Sequence, residues 1–317
     1  MSVLRLLASR ILFSALTLLL VSVLIFLILE ALPGDVATRI LGRDATVKAL
    51  ELLRSQLDLD QPALVRYFQW LGDFLRGDLG VSIATGRPIT DVLGPRIVNT
   101  LLLSLFAFTI YLVLALVPAI IQATNRGKAV DNIISVITLV LLSLPDFLLA
   151  TILLFLFAVA VPILPALATI SEASTWQETL RAMVLPAVTL AIMMAVYAIR
   201  VLRDSLIEVL RSDYVRLAEL KGLRPTAVLF RHALPNAIVP ALNVTALNLG
   251  FLIGGVVIVE RVFSYPGFET LLIDALQLRD IPLIKATVMI SAVVYVAANL
   301  VADVLAVLLQ PRLRTSR

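Results

Sequence analysis

From Ile11 to Leu29 the chain is apolar except for Ser14, Thr17 and Ser22. A helix needs a run of about 20 such residues to cross the hydrocarbon core of a bilayer. Five further apolar runs follow: Asn99–Gln122, Asn132–Ala160, Ala182–Val201, Ile238–Val259 and Leu283–Leu309. These predict an all-α polytopic membrane protein with six transmembrane helices. The first run competes with a cleaved signal peptide, whose apolar core is shorter, about 7–15 residues. No small-x-small cleavage site follows before Pro33-Gly34, so a retained first span is expected.

The composition agrees. Of 317 residues, 60% are hydrophobic and 15% charged, against about 45–50% and about 25% in soluble domains. Cysteine is absent, which rules out disulfides, thiolate metal sites and cysteine nucleophiles. His232 is the single histidine, which argues against a histidine-rich zinc site. No G-x-x-x-x-G-K-[S/T] loop is present, and Arg126-Gly127-Lys128-Ala129 is not one. No glycine-flanked serine with base and acid partners is visible. No catalytic, cofactor or metal residues are therefore assigned, and no soluble basic domain exists to hold nucleic acid.

Charge placement orients the chain. Arg5, Arg10, Arg126, Lys128, the basic stretch from Arg200 to Arg231, and Arg312, Arg314 and Arg317 fall in alternate connections, whereas the two later intervening loops carry more acids than bases. By the positive-inside asymmetry, residues 1–10, 203–236 and 311–317 are expected in the cytoplasm and residues 32–97 outside. Within 32–97, Thr46–Leu57 and Leu64–Leu75 read as amphipathic helices, the second carrying Tyr67, Phe68, Trp70 and Phe74. The segment reads either as a platform for a substrate-delivery protein or as a cap on the outer ends of the spans.

Polar residues inside the spans are candidates for the translocation path. Asp146, in Ser143-Leu-Pro145-Asp146-Phe147 near the middle of the third run, lines a path or holds a cation there, or is a structural carboxylate bonded to a neighbouring helix. Pro186 is expected to break the fourth span and Pro118 to kink the second. Asn243, Thr245 and Asn248 make the fifth span more polar, and Gly250 and Gly254 give it a small-xxx-small spacing. Ser291, Tyr295, Asn299 and Asp303 recur every four residues and form one stripe on the sixth. That stripe faces the bundle interior or a partner subunit.

The longest polar interruption of the C-terminal half is Asp213-Tyr-Val-Arg-Leu-Ala-Glu-Leu-Lys-Gly222-Leu-Arg-Pro225 followed by Arg231-His-Ala-Leu-Pro235-Asn236. Leu206, Leu210, Leu217 and Leu220 share helical spacing. Gly222 is placed to end that helix and Pro225 to begin another, with Pro235 and Pro240 limiting the second. Two short helices meeting at a bend make a docking shape; the plain alternative is an ordinary loop helix.

This order resembles the EAA loop of importer-type ATP-binding-cassette permeases. The triplet is Arg216-Leu217-Ala218, followed after three residues by Gly222 and after nine more by His232-Ala233-Leu234-Pro235. Arg216 stands where the family has glutamate, Leu217 where it has alanine, and His232 where it has an apolar residue. The dipeptide/oligopeptide/nickel branch is similar at more points: Gly77-Asp-Leu-Gly-Val-Ser82, Gly86-Arg-Pro88, Asn99-Thr-Leu, Phe263-Ser-Tyr-Pro-Gly267 and Pro311-Arg312. The resemblance implies the type I importer permease fold, a second similar permease subunit, two ATP-binding subunits and an extracytoplasmic solute-binding protein. It implies peptides or similar small solutes as cargo, ATP and Mg bound on the partner subunits and none by this chain, and a bacterial or archaeal inner membrane. Asp213, Tyr214, Arg216, Leu217, Ala218, Lys221, Gly222, His232, Leu234 and Pro235 would then contact the ATPase. The competing function is a self-sufficient ion-coupled secondary transporter using Asp146 and Asp303. Such carriers often contain inverted repeats, and none is evident between the halves.

Overall fold

The long apolar runs form helices because a lipid-facing backbone must satisfy its own amides and carbonyls. A computed structural model of the chain describes residues 3–31, 46–56, 61–170, 175–254 and 256–309. The helices are α1 (Val3–Ala31), α2 (Val47–Gln56), α3 (Ala63–Arg76), α4 (Ile89–Thr124), α5 (Ala129–Ser143), α6 (Asp146–Leu154), α7 (Trp176–Leu210), α8 (Asp213–Leu220), α9 (Leu234–Gly254), α10 (Val257–Val262), α11 (Phe268–Leu278) and α12 (Ile281–Leu309). Wide π turns at Phe155–Ala160 and Val228–Ala233 extend α6 and lead into α9. Among the described residues the only β pairing is a single bridge, Val81 to Pro88. The two amphipathic helices expected between the first spans are α2 and α3.

Among the described residues, segments of α1, α4, α7 and α12 are long and apolar enough to cross a membrane, and α5 with the extended α6 makes a fifth if that bent pair is one span. The expected run Ile238–Val259 is taken up by α9 to Gly254 and by α10 from Val257.

The chain divides into two compact units. One comprises residues 1–99 and 267–317. Its core includes Leu29, Ile89, Leu93, Phe268, Leu271 and Leu283. Here α3 is strapped to α1: the Tyr67 hydroxyl and Ser22 share a hydrogen bond of 2.8 Å, and Arg66 pairs with Glu30. Lys285 of α12 lies 4.9 Å from the Phe26 ring centre and 5.5 Å from that of Trp70, a cation–π arrangement that holds the ammonium among aromatics. Asp280 begins α12. Its carboxylate accepts the Leu283 amide at 3.2 Å, the Ser82 hydroxyl at 2.6 Å and the Ala84 amide at 3.2 Å. Ser82 of the Gly77–Ser82 block is thus fully buried as the partner of a helix cap.

The other unit comprises residues 100–266. It is built around α7, whose Leu190, Met194, Ala198, Leu202 and Leu206 are buried in the main core. Tyr111 of α4 and Thr245 of α9 share a hydrogen bond of 2.7 Å. The Phe263–Gly267 block closes a turn: Ser264 takes a left-handed φ of 52°, the Tyr265 amide donates to the Glu260 carbonyl at 2.8 Å, and Phe263 and Tyr265 are fully buried.

Three sequence expectations are corrected and one is met. Pro186 does not break the fourth span; α7 runs unbroken through it for 35 residues. A single missing amide is tolerated where neighbouring helices hold the chain, and Pro186 and its surroundings are buried. The third run, longer than one span needs and so free to tilt or bend, does bend: α5 and the extended α6 meet at 111°. Pro145 drives the preceding residue into extended backbone, and Leu144 has ψ 133°. Leu206–Lys221 is not one helix: α7 ends at Leu210, and Ser212, extended at ψ 152°, starts α8. Neither Pro235 nor Pro240 ends the second helix of the bend, since α9 starts at Leu234 and runs through both to Gly254. The π turn ahead of Pro235, in which the Leu234 amide reaches the Leu229 carbonyl, widens the helix where the proline ring would otherwise crowd the preceding turn.

Candidate partner-docking site and membrane path

The bend at Gly222 is built as the spacing predicts. Helix α8 ends in a Schellman arrangement: the Gly222 amide donates to the Glu219 carbonyl at 2.9 Å and the Leu223 amide to the Ala218 carbonyl at 3.3 Å. Gly222 has φ 78°, the left-handed region that glycine enters without a Cβ penalty. Pro225 occupies the first helical turn beyond the bend.

Helix α8 has two faces. Val215 and Ala218 are buried against Val228, with Val209 and Leu210 packed alongside. Tyr214, Leu217 and Leu220 are 45%, 52% and 78% exposed, joined by Leu223 and Phe230 beyond the bend. Asp213, Arg216 and Lys221 surround them and are exposed. Ala218 of the triplet therefore packs inward, while Arg216 and Leu217 point out. His232 and Leu234 are half-buried and Pro235 is exposed. The His232 carbonyl, at the end of the π turn, accepts the Asn236 side-chain amide at 2.8 Å.

The path candidates separate. Asp146 sits half-buried in the first turn of α6, directly after the 111° bend, rather than in mid-helix. Asn248 donates to the Met194 carbonyl at 3.0 Å and so ties α9 to α7. Asn243 is exposed on α9. Tyr295 and Asn299 are exposed on α12, with the Asn299 amide bonded to the Tyr295 carbonyl at 3.1 Å. The Asp303 side chain lies outside the described residues. Among the described residues no group of His, Cys, Asp and Glu could hold a metal ion.

Sequence reasoning missed one cluster beside this site. Asp131 in the first turn of α5 is clasped by Arg203 of α7, with Nε on Oδ1 and Nη2 on Oδ2, each at 2.8 Å. The partners stand 72 residues apart, so no local spacing reveals them.

Comparison with known proteins fits this architecture. Residues 115–315 match the family of binding-protein-dependent transport system inner membrane components, and residues 3–87 match the N-terminal model for such membrane components. The glutathione transport system permease protein GsiC of Escherichia coli O6:H1 is 36% identical over 298 residues, covering 94% of this chain and 95% of that protein. The GsiC proteins of Escherichia coli K12 and of Shigella dysenteriae are 35% identical over the same length. A self-sufficient ion-coupled carrier finds no support in these likenesses. The chain belongs to the inner-membrane components of binding-protein-dependent transport systems and is a multi-pass permease subunit of an ATP-binding-cassette importer of the peptide-type branch.

Proposed function

We propose that the outer face of α8 and the Gly222 bend seat on an ATP-binding subunit in the cytoplasm, and that this contact drives the permease between its inward- and outward-open states. The supporting observation is the uncovered cluster Tyr214, Leu217 and Leu220 on a helix whose opposite face is buried. Contiguous apolar surface rimmed by charge marks a partner site. Asp213, Arg216 and Lys221 provide the polar rim, while His232, Leu234 and Pro235 shape the return of the chain toward the membrane.

In this reading residues 1–10, 203–236 and 311–317 are cytoplasmic, and 32–97 face the extracytoplasmic binding protein. The whole chain acts as one transmembrane permease domain. A second homologous permease covers the exposed Tyr295–Asn299 stripe, and two ATPase subunits carry ATP and Mg; this chain binds no cofactor and hydrolyses nothing. Asp146 and Asn243 line the path. Asn248 acts chiefly in helix packing, which its bond to Met194 supports. The cargo is a peptide-sized solute: the relatives are named for glutathione transport, and glutathione is itself a small peptide.

The test is copurification from the native membrane. The double variant Leu217→Asp/Leu220→Asp should insert normally and lose its ATPase subunits. Full retention of those subunits would move the contact elsewhere.

A further inference from the structure

The Asp131–Arg203 pair is built to a standard that anchoring one half-buried arginine does not require. Asp131 has only 3% of its side chain exposed. Its Oδ1 accepts Arg203 Nε at 2.8 Å and the Gln122 side-chain amide at 3.3 Å. Its Oδ2 accepts Arg203 Nη2 at 2.8 Å and the Gly127 amide at 2.9 Å. Both carboxylate oxygens are thereby doubly occupied. Gln122, at the end of α4, also donates to the Asp131 carbonyl at 3.2 Å and to the Ser135 hydroxyl at 2.9 Å. One carboxylate therefore joins the end of α4, the Gly127 turn, the start of α5 and the side of α7. Asp204, the neighbour of Arg203, takes up its remaining nitrogen at 2.8 Å.

The position of Arg203 gives this junction its consequence. It lies two turns before the end of α7, on the segment whose Val209 and Leu210 pack against the buried face of α8. A bidentate arginine–carboxylate pair fixes orientation as well as distance. From α8 the contacts run through Val215 and Leu210 to α7, through Arg203 to Asp131, and along α5 to the bend before Asp146.

We propose that the Asp131–Arg203 pair is the positioning element that makes the docking helix and the bent α5–α6 segment move as one body during the transport cycle. Neither residue touches ATP or solute; both act through the elements they join. The proposal rests on α8 being the ATPase dock, and its test keeps the two apart.

The experiment uses the whole importer in lipid nanodiscs with cysteine-free partner subunits. This chain has no cysteine, so Glu219→Cys on α8 and Phe147→Cys on α6, both exposed, place two spin labels. With Arg203 present, the label separation should be the same in the nucleotide-free and the ATP–vanadate-trapped states. In Arg203→Gln the separation should differ between the two states, with ATP hydrolysis held within about twofold and hydrolysis-driven opening uncoupled by about tenfold. Arg203→Lys, which keeps the charge but not the fork, should fall between them. Asp131→Asn should repeat the Gln result. An unchanged separation in Arg203→Gln overturns the proposal. Loss of the ATPase subunits in Arg203→Gln also overturns it, because the pair would then be holding the dock itself together. The dock is judged separately by Leu217→Asp: ATPase subunits that stay bound there sink the docking assignment, whatever the labels report.

Discussion

The Leu223 amide lies 3.3 Å from the Ala218 carbonyl, reached across the left-handed Gly222. That bond sets the angle at which the chain leaves α8, and it keeps Ala218 turned toward Val228 while Leu217 and Leu220 stay uncovered.

A Cβ at Gly222 would meet no heavy atom within 4 Å, so the cost of replacing it is conformational. For a branched residue such as valine that cost is roughly 1–2 kcal/mol. Gly222→Val is expected to insert at wild-type levels and to lose most ATP-driven uptake, whereas Gly222→Asn, whose side chain tolerates φ > 0, retains more. Measured uptake against membrane-inserted protein separates the two.

Val215 and Leu217 lie on opposite faces of one short helix, fully buried and 52% exposed respectively. Val215→Asp should lower the thermal stability of the purified permease, because a carboxylate without a partner is forced into an apolar site. Leu217→Asp should leave the melting temperature within a degree or two and reduce ATPase capture. Equal thermal losses would show that both residues are packed.

Asp280 holds the Ser82 turn and caps α12 through three hydrogen bonds. Asp280→Ala removes the cap and leaves the buried Ser82 O–H without its acceptor, although its oxygen still accepts from Thr85, for a loss of roughly 2–4 kcal/mol. Ser82→Ala alone should cost less, about 1 kcal/mol. Denaturation of the detergent-solubilised chain gives both values, and the order of the two losses is the prediction.

The chain carries no phosphate-binding loop. Purified without partners, it should release no phosphate from ATP above a protein-free control. Intrinsic hydrolysis would contradict its assignment as a subunit that relies on a separate ATPase.

Much of this architecture is legible in local sequence, because each signal acts within a few residues. The apolar runs, the Gly222 stop, Pro225 at a helix start, and the amphipathic helices α2 and α3 all follow from spacing and side-chain type. The rest depended on neighbours that a linear reading cannot see. Pro186 reads as a breaker, yet packing carries α7 through it. The third run reads as longer than one span needs, yet nothing in its length fixes the 111° angle at Pro145. Pro235 reads as a stop, yet the wide turn before it absorbs the ring. The partnerships of Asp131 with Arg203 and of Ser82 with Asp280 span 72 and 198 residues and carry no periodicity.

The most direct test of the account uses a single cysteine at Leu220, 78% exposed in the isolated chain, labelled with a membrane-impermeant maleimide in membrane vesicles. The account predicts labelling in inside-out vesicles only, and strong protection when the ATPase subunits are present. Labelling from the extracytoplasmic side, or equal labelling with and without those subunits, would contradict it.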